Sequence, residues 1–239
     1  MRNVLCPDTT PNLIPKSFVL PIALALVVLA MGCEIVELHK RAQQGDAEAQ
    51  LDLGTRYYVK EDYARAIKWF EKSAKQDNKW AQHNLGTCYQ YGRGVNQDGV
   101  KAVEWYEKAA AQGVVAAQHN LAASYYEGEG VDRDVAKAIE WYRKAAEQGY
   151  AASQYSLGVF YDTGMGVGKD VVQAVEWYRK AAEQGHARAQ YNLGVSYEEG
   201  EGVPKDITEA IKWYRKATDQ GDKKARTKLN ELLGKQKTP

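Results

Sequence analysis

The chain is poor in cysteine, proline and phenylalanine, carries no excess of either charge, and contains one long apolar run. Its three cysteines, Cys6, Cys33 and Cys88 in 239 residues, are too few and too scattered for a paired-cysteine zinc site or a disulfide framework. Four of the six prolines, Pro7, Pro11, Pro15 and Pro21, fall in the first 21 residues, which leaves the rest nearly free of helix breakers. Beyond the first 32 residues 30 basic side chains face 30 acidic ones, so no global field favours nucleic acid or anionic lipid. Ser-x-x-Lys, Gly-x-Ser-x-Gly, Gly-x-x-x-x-Gly-Lys and His-Glu-x-x-His are all missing. Each of those spacings would bring a nucleophile, base, phosphate or metal ligand together, so no catalytic residue, cofactor or metal site is expected. What remains, 44% hydrophobic and 26% charged residues, is the composition of an ordered globular chain.

Arg2 and Lys16 precede an uncharged apolar run from Phe18 to Met31. A basic segment followed by an apolar one is the order of an export signal, and the run is short against the ~20 residues of a membrane-spanning helix. It ends in Leu29-Ala30-Met31-Gly32-Cys33, which resembles the lipobox of bacterial lipoproteins, whose cysteine is acylated and becomes the new N-terminus. Ala30 stands where leucine is usual, with Leu29 one place further out. An ordinary signal-peptidase cut or an uncleaved anchor fits the same residues. Residues 1–32 are thus expected to be a signal peptide and Cys33 a lipidation site. The rest would be exported to the periplasm, tethered to a membrane (the outer one favoured), or secreted. In an oxidising compartment a lone Cys88 must be buried to persist as a thiol, and its neighbours Leu85 and Tyr89 on one helical face fit that place.

The remaining residues repeat. Leu85, Leu121, Leu157, Leu193 and Leu229 are each 36 residues apart, Leu53 precedes Leu85 by 32, and Trp69, Trp105, Trp141, Trp177 and Trp213 keep the period of 36. Apolar residues at Ala81, Leu85, Cys88 and Tyr89, then at Ala102, Trp105, Tyr106 and Ala109, have helical spacing, so each unit holds two helices. Between them Gly-x-Gly-Val, first seen as Gly92 to Val95, supplies a turn whose valine tucks under the hairpin. Asp98, Asp134, Asp170 and Asp206 then stand at the N-cap of the second helix. That helix stops at Gln-Gly, from Gln112-Gly113 to Gln220-Gly221. The first unit lacks the glycine loop and turns through Lys60-Glu61-Asp62-Tyr63. Glu104 with Lys108, Glu140 with Lys144 and Glu176 with Lys180 are spaced for ion pairs on a solvated outer face, about 0.3 kcal/mol each.

The pattern running from Ala81 to Gly113, and again from Ala117, Ser153 and Ala189, resembles the Sel-one-like repeat (SLR), a relative of the tetratricopeptide repeat. The resemblance implies an all-α fold, an α-solenoid of antiparallel helical hairpins in a right-handed superhelix. Residues 33–45 would be a linker and capping helix, 46–221 five repeats, and 222–239 a second capping helix and tail. Some disulfide-rich secreted members of the family are associated with penicillin binding and weak β-lactamase activity, but the cysteine pair they carry in each repeat is absent here.

In a solenoid, repeated positions hold the stack and unlike positions meet a partner. By analogy with tetratricopeptide arrays, the inner positions place Trp80, His83, Gln90, Tyr91, His119, Tyr126, Tyr155, Asp162, Tyr191 and Glu198 on the concave face. His83, His119, Tyr155 and Tyr191 form a ladder of rings with polar tips, the chemistry of binding hot spots, although such rings also pack between hairpins. His39 and His186 have no spaced partners, and His83 with His119 lacks further metal ligands. The expected function is a non-enzymatic protein-interaction scaffold of the bacterial envelope, acting as a monomer on a protein partner, with no nucleic acid. The alternative is a structural or carbohydrate-binding part of an envelope or exopolysaccharide export machine, or a secreted host-interaction factor.

Overall fold

A computed structural model of the chain describes residues 34–235. The expected signal peptide, Cys33 and the last four residues lie outside them. Helix α1 covers residues 34–43. The hairpins that follow are α2 (Ala47–Val59) with α3 (Tyr63–Ala74), α4 (Lys79–Tyr91) with α5 (Gly99–Ala111), and α6 (Val115–Glu127) with α7 (Val135–Glu147). Next come α8 (Ala151–Thr163) with α9 (Val171–Glu183), α10 (Ala187–Glu199) with α11 (Ile207–Asp219), and the closing α12 (Lys223–Lys235). Among the described residues there is no strand. Each helix packs on the one before and the one after it, which makes the array an α-solenoid.

The local chemistry fixes where each helix starts and stops. Asp98, Asp134, Asp170 and Asp206 adopt extended backbone, and their carboxylates accept amides of the first turn in α5, α7, α9 and α11. This satisfies donors that no helical carbonyl reaches. At the other end of the first helices, Gly92 (φ 64°) takes the left-handed conformation that closes α4, a state that costs a side chain but not glycine. The second glycine of each loop serves the next level up, since it lies on the start of the preceding hairpin's second helix. A Cβ on Gly202 would stand 2.4 Å from the carbonyl oxygen of Val171.

A row of paired glutamines joins hairpin to hairpin. Gln118, Gln154 and Gln190 are buried at the starts of α6, α8 and α10, where an unpaired amide would cost about 1–3 kcal/mol. Each donates to the last turn of the preceding helix, at the carbonyls of Ala110 (3.2 Å), Ala146 (3.1 Å) and Ala182 (3.1 Å). Each also accepts from the glutamine that ends its own hairpin: Gln148 (2.7 Å), Gln184 (2.7 Å) and Gln220 (2.8 Å). Since the end of one helix meets the start of the other, the two helices of a hairpin are antiparallel, and all first helices are parallel.

Inside each hairpin one aromatic ring fills the space beside a residue without a side chain. The glycines Gly54, Gly86, Gly158 and Gly194 face Phe70, Tyr106, Tyr178 and Tyr214 so closely that a Cβ would come within 2.5–2.7 Å of ring carbons. In α6 the equivalent residue is Ala122, and the facing Tyr142 is the most exposed of the five rings, at 6%. Cys88 is buried in this layer, which pushes its thiol up to about 12 and keeps it protonated.

The outer face differs from the expectation of Glu–Lys pairs. Lys108, Lys144 and Lys180 instead sit over the rings of Trp105, Trp141 and Trp177, with Nζ 4.2, 3.8 and 4.1 Å from the centroids. An exposed cation on a tryptophan face gains about 0.5–1 kcal/mol, against about 0.3–0.5 kcal/mol for an exposed helical ion pair. The ring three residues away therefore outcompetes the carboxylate four away. The ion pairs that form nearby belong to the first turn, such as Asp98 with Lys101 at 3.2 Å.

Candidate functional site

The inner faces of α4, α6, α8 and α10 carry the row expected to meet a partner. His83, His119, Tyr155 and Tyr191 are each half-buried because each lies on the aromatic ring that fills its own hairpin. Centroid separations are 5.9 Å to Tyr106, 5.3 Å to Tyr142, 6.0 Å to Tyr178 and 5.8 Å to Tyr214. The remaining expected residues divide into two groups. Trp80 and Tyr91 are exposed, and Tyr126 packs edge-on against Phe160 at 5.4 Å.

Gln90, Asp162 and Glu198 are held by the fold. They accept the hydroxyls of Tyr106 (2.7 Å), Tyr178 (3.2 Å) and Tyr214 (2.7 Å). Their unlike side chains share one task, orienting the tyrosine below, so the difference between repeats at that place is not by itself a mark of recognition. Glu198 is further engaged by Lys228 at 3.3 Å.

Two residues that sequence reasoning left out of the row belong to it. His186 stacks on Tyr155 at 4.7 Å, and Tyr150 leans on His119 at 5.1 Å. Both occupy the residue before a first helix, where Asp46 and Asn78 serve as side-chain caps in the earlier hairpins. The signal was the change of residue type in that column, from Asp and Asn to rings, although His186 still caps its helix, Nδ1 accepting the Ala189 amide at 3.3 Å.

His83 and His119 do not converge on a common point. Nε2 of His83 lies 3.4 Å from Nδ2 of Asn120, and Nδ1 of His119 lies 2.8 Å from the Ser153 hydroxyl. Among the described residues no three His, Cys, Asp or Glu side chains are grouped to hold a metal ion. Burial lowers the pKa of His83 and of His186, and holds His119 down at about 4 with help from the charge of His186. The imidazoles of the row are therefore neutral at neutral pH.

Three clefts meet on the C-terminal half of the row. One of about 170 Å³ is lined by Tyr126, Tyr155, Val159, Phe160 and Met165. A second of about 390 Å³ extends from Tyr155 to Tyr191 between Arg188, Lys223 and Lys224. A third of about 180 Å³ continues from Tyr191 to Val195, Asp162 and Glu201. Tyr155 and Tyr191 are the shared walls.

A family profile described as the Sel1 repeat matches residues 47–78, 81–114, 115–150, 151–186 and 187–222, one match for each hairpin. The chain belongs to the Sel1 repeat family. Sel1 repeat proteins are in general protein-interaction scaffolds built on a non-catalytic fold. Among solved structures, this Sel1 repeat chain is similar to a protective antigen present in uropathogenic Escherichia coli strains that displays an SLR fold. The two are 42% identical over 82% of this chain and 43% of the antigen, with a TM-score of 0.79. It is also similar to a Sel1 repeat protein from Oxalobacter formigenes, at 35% identity over 77% of this chain and 76% of that one, with a TM-score of 0.72. The chain thus spans under half the length of the antigen. No curated protein matches it.

Proposed function

We propose that this Sel1 repeat chain is a non-enzymatic adaptor of the bacterial envelope that holds a segment of a protein partner in its concave groove. The observation that carries the reading is the meeting of three clefts at Tyr155 and Tyr191, where half-buried rings offer contact area at low entropic cost. The envelope address rests on the apolar run ending at Cys33; among the described residues no helix is long and apolar enough to cross a membrane. The likeness to a protective antigen lends support to display outside the cytoplasm, and so to host contact as a second reading.

Capture from detergent-solubilised envelopes tests the first reading, with wild type set beside Tyr155→Ala/Tyr191→Ala after thermal melts show that the variant folds. A discrete protein retained by the wild type and lost by the variant is expected. Retention of polysaccharide alone would transfer the groove to a carbohydrate role. Mass measurement of the mature chain tests the address, with an acylated Cys33 expected and a chain starting at Met1 refuting export processing.

A further inference from the structure

Charge is not spread evenly around the groove. Because the first helices are parallel, their N-termini form one edge and their C-termini, with the glycine loops, form the other. Near the last two hairpins the first edge carries Arg188, Lys223 and Lys224, all exposed, and the opposite edge carries Asp162, Glu198, Glu199 and Glu201, with Lys169 and Lys205 exposed in its glycine loops.

Internal pairing leaves most of this charge free. On the basic edge Asp222 lines the same cleft and caps α12, its carboxylate accepting the Ala225 amide at 2.9 Å, so three cations stand beside one carboxylate. On the acidic edge Asp162 and Glu198 take tyrosine hydroxyls, and Lys228 offsets Glu198. Among the described residues Arg188, Lys223, Lys224, Glu199 and Glu201 take part in no ion pair; the pair formed here is Glu198 with Lys228. The clefts beside the two edges share Tyr191 and Asn192 as lining, so the basic and acidic edges bound one continuous groove floored by Tyr155, Tyr191 and Val195.

The fold sets the spacing. Arg188 and Glu199 stand eleven residues apart on α10, which at ~1.5 Å per residue separates the two edges by about 16 Å. An extended strand at ~3.3 Å per residue covers that span in about four to five residues. We propose that the groove selects a dipolar peptide segment of the partner. Its acidic residue sits against Arg188, Lys223 and Lys224, its basic residue sits four or five positions away against Glu199 and Glu201, and the residues between lie over Tyr155, Tyr191 and Val195. The proposal rests on the adaptor reading and names the chemistry of the segment held.

The test uses the full chain and synthetic peptides, acetylated and amidated, that carry one Glu and one Lys at increasing separations on an alanine-tyrosine background. Fluorescence anisotropy should show the tightest binding at a separation of four or five, at least about tenfold tighter than with adjacent charges, and weaker as salt is raised. The variant Arg188→Glu/Lys223→Glu/Lys224→Glu changes only exposed residues and should lose at least about tenfold in affinity with its helical circular dichroism intact. Affinity independent of separation, no measurable binding of any peptide, or unchanged affinity in the reversed variant overturns the proposal. The adaptor reading is separable from it. A protein captured from envelopes that is lost with Tyr155→Ala/Tyr191→Ala but kept by the charge-reversed chain leaves that reading standing and sinks the dipolar groove.

Discussion

At the scale of single residues, His119 is the most constrained member of the inner row. Tyr142 and Tyr150 pack against it within 5.3 Å and Ser153 fixes one ring nitrogen, while burial holds the imidazole at about 4. Because the folded state resists the proton that an unfolded imidazole takes up near 6.5, its contribution to stability is complete above pH 6.5. It is lost progressively as the pH falls from there towards 4. The loss would reach about 3 kcal/mol for a ring wholly out of water, and comes to about 1–2 kcal/mol for one that is half-buried. The His119→Tyr chain, which copies the residue used in the next two hairpins, should show a shallower fall in melting temperature between pH 7 and pH 4 than the wild type. Equal slopes would remove His119 from the account. Gln154 is constrained differently, since it both donates to Ala146 and accepts from Gln184. Replacing it by leucine removes both bonds, while Ala146 keeps the Gly149 amide and Gln184 the Lys180 carbonyl, so Gln154→Leu should cost about 0.5–1.5 kcal/mol in denaturant melts, although leucine is the more apolar residue.

Elements begin and end on single side chains, which makes them open to direct test. Asp170 caps α9 by accepting the amides of Val172 and Gln173. Asp170→Ala should lower stability by about 1 kcal/mol, and Asp170→Asn should restore most of it; a cost unrelieved by asparagine would point to charge and not to capping. These boundaries were legible in the sequence because their causes lie within a few residues of one another: an acid before an apolar stripe, a glycine after it, and a period that repeats both. The contacts that failed to show in the sequence have partners elsewhere. The glutamines at 118 and 148 were visible as repeated letters, but a bond across 30 residues has no signature in either helix alone. Lys108 was matched to the wrong neighbour because carboxylate and indole both lie within its reach and only their energies decide between them. The site was half legible. The helical periodicity put His83, His119, Tyr155 and Tyr191 on one face, whereas His186 joins them through a loop residue whose column, Asp46, Asn78, Val114, Tyr150 and His186, never repeats.

For the molecule as a whole, each hairpin packs on its neighbours, with the same glutamine-to-carbonyl bond at the seams made by Gln118, Gln154 and Gln190, so stability is a sum of unit and seam contributions. Binding in the groove draws on several units at once: Tyr155 belongs to one hairpin, Tyr191 to the next, and Lys223 and Lys224 to the closing helix. A partner seated there would clamp the C-terminal half and leave the N-terminal hairpins as before. The row of paired glutamines also has a mechanical meaning. When the two ends are pulled apart, a chain joined by similar latches should yield one hairpin at a time, each release adding 36 residues of slack, or 32 for the first unit, on the order of 120 Å of contour. Single-molecule stretching should therefore record a sawtooth of even steps, and the Gln154→Leu chain should give way first at that latch and at lower force. A chain made this way would behave as a graded spring between its two ends, lengthening under load in units of one repeat.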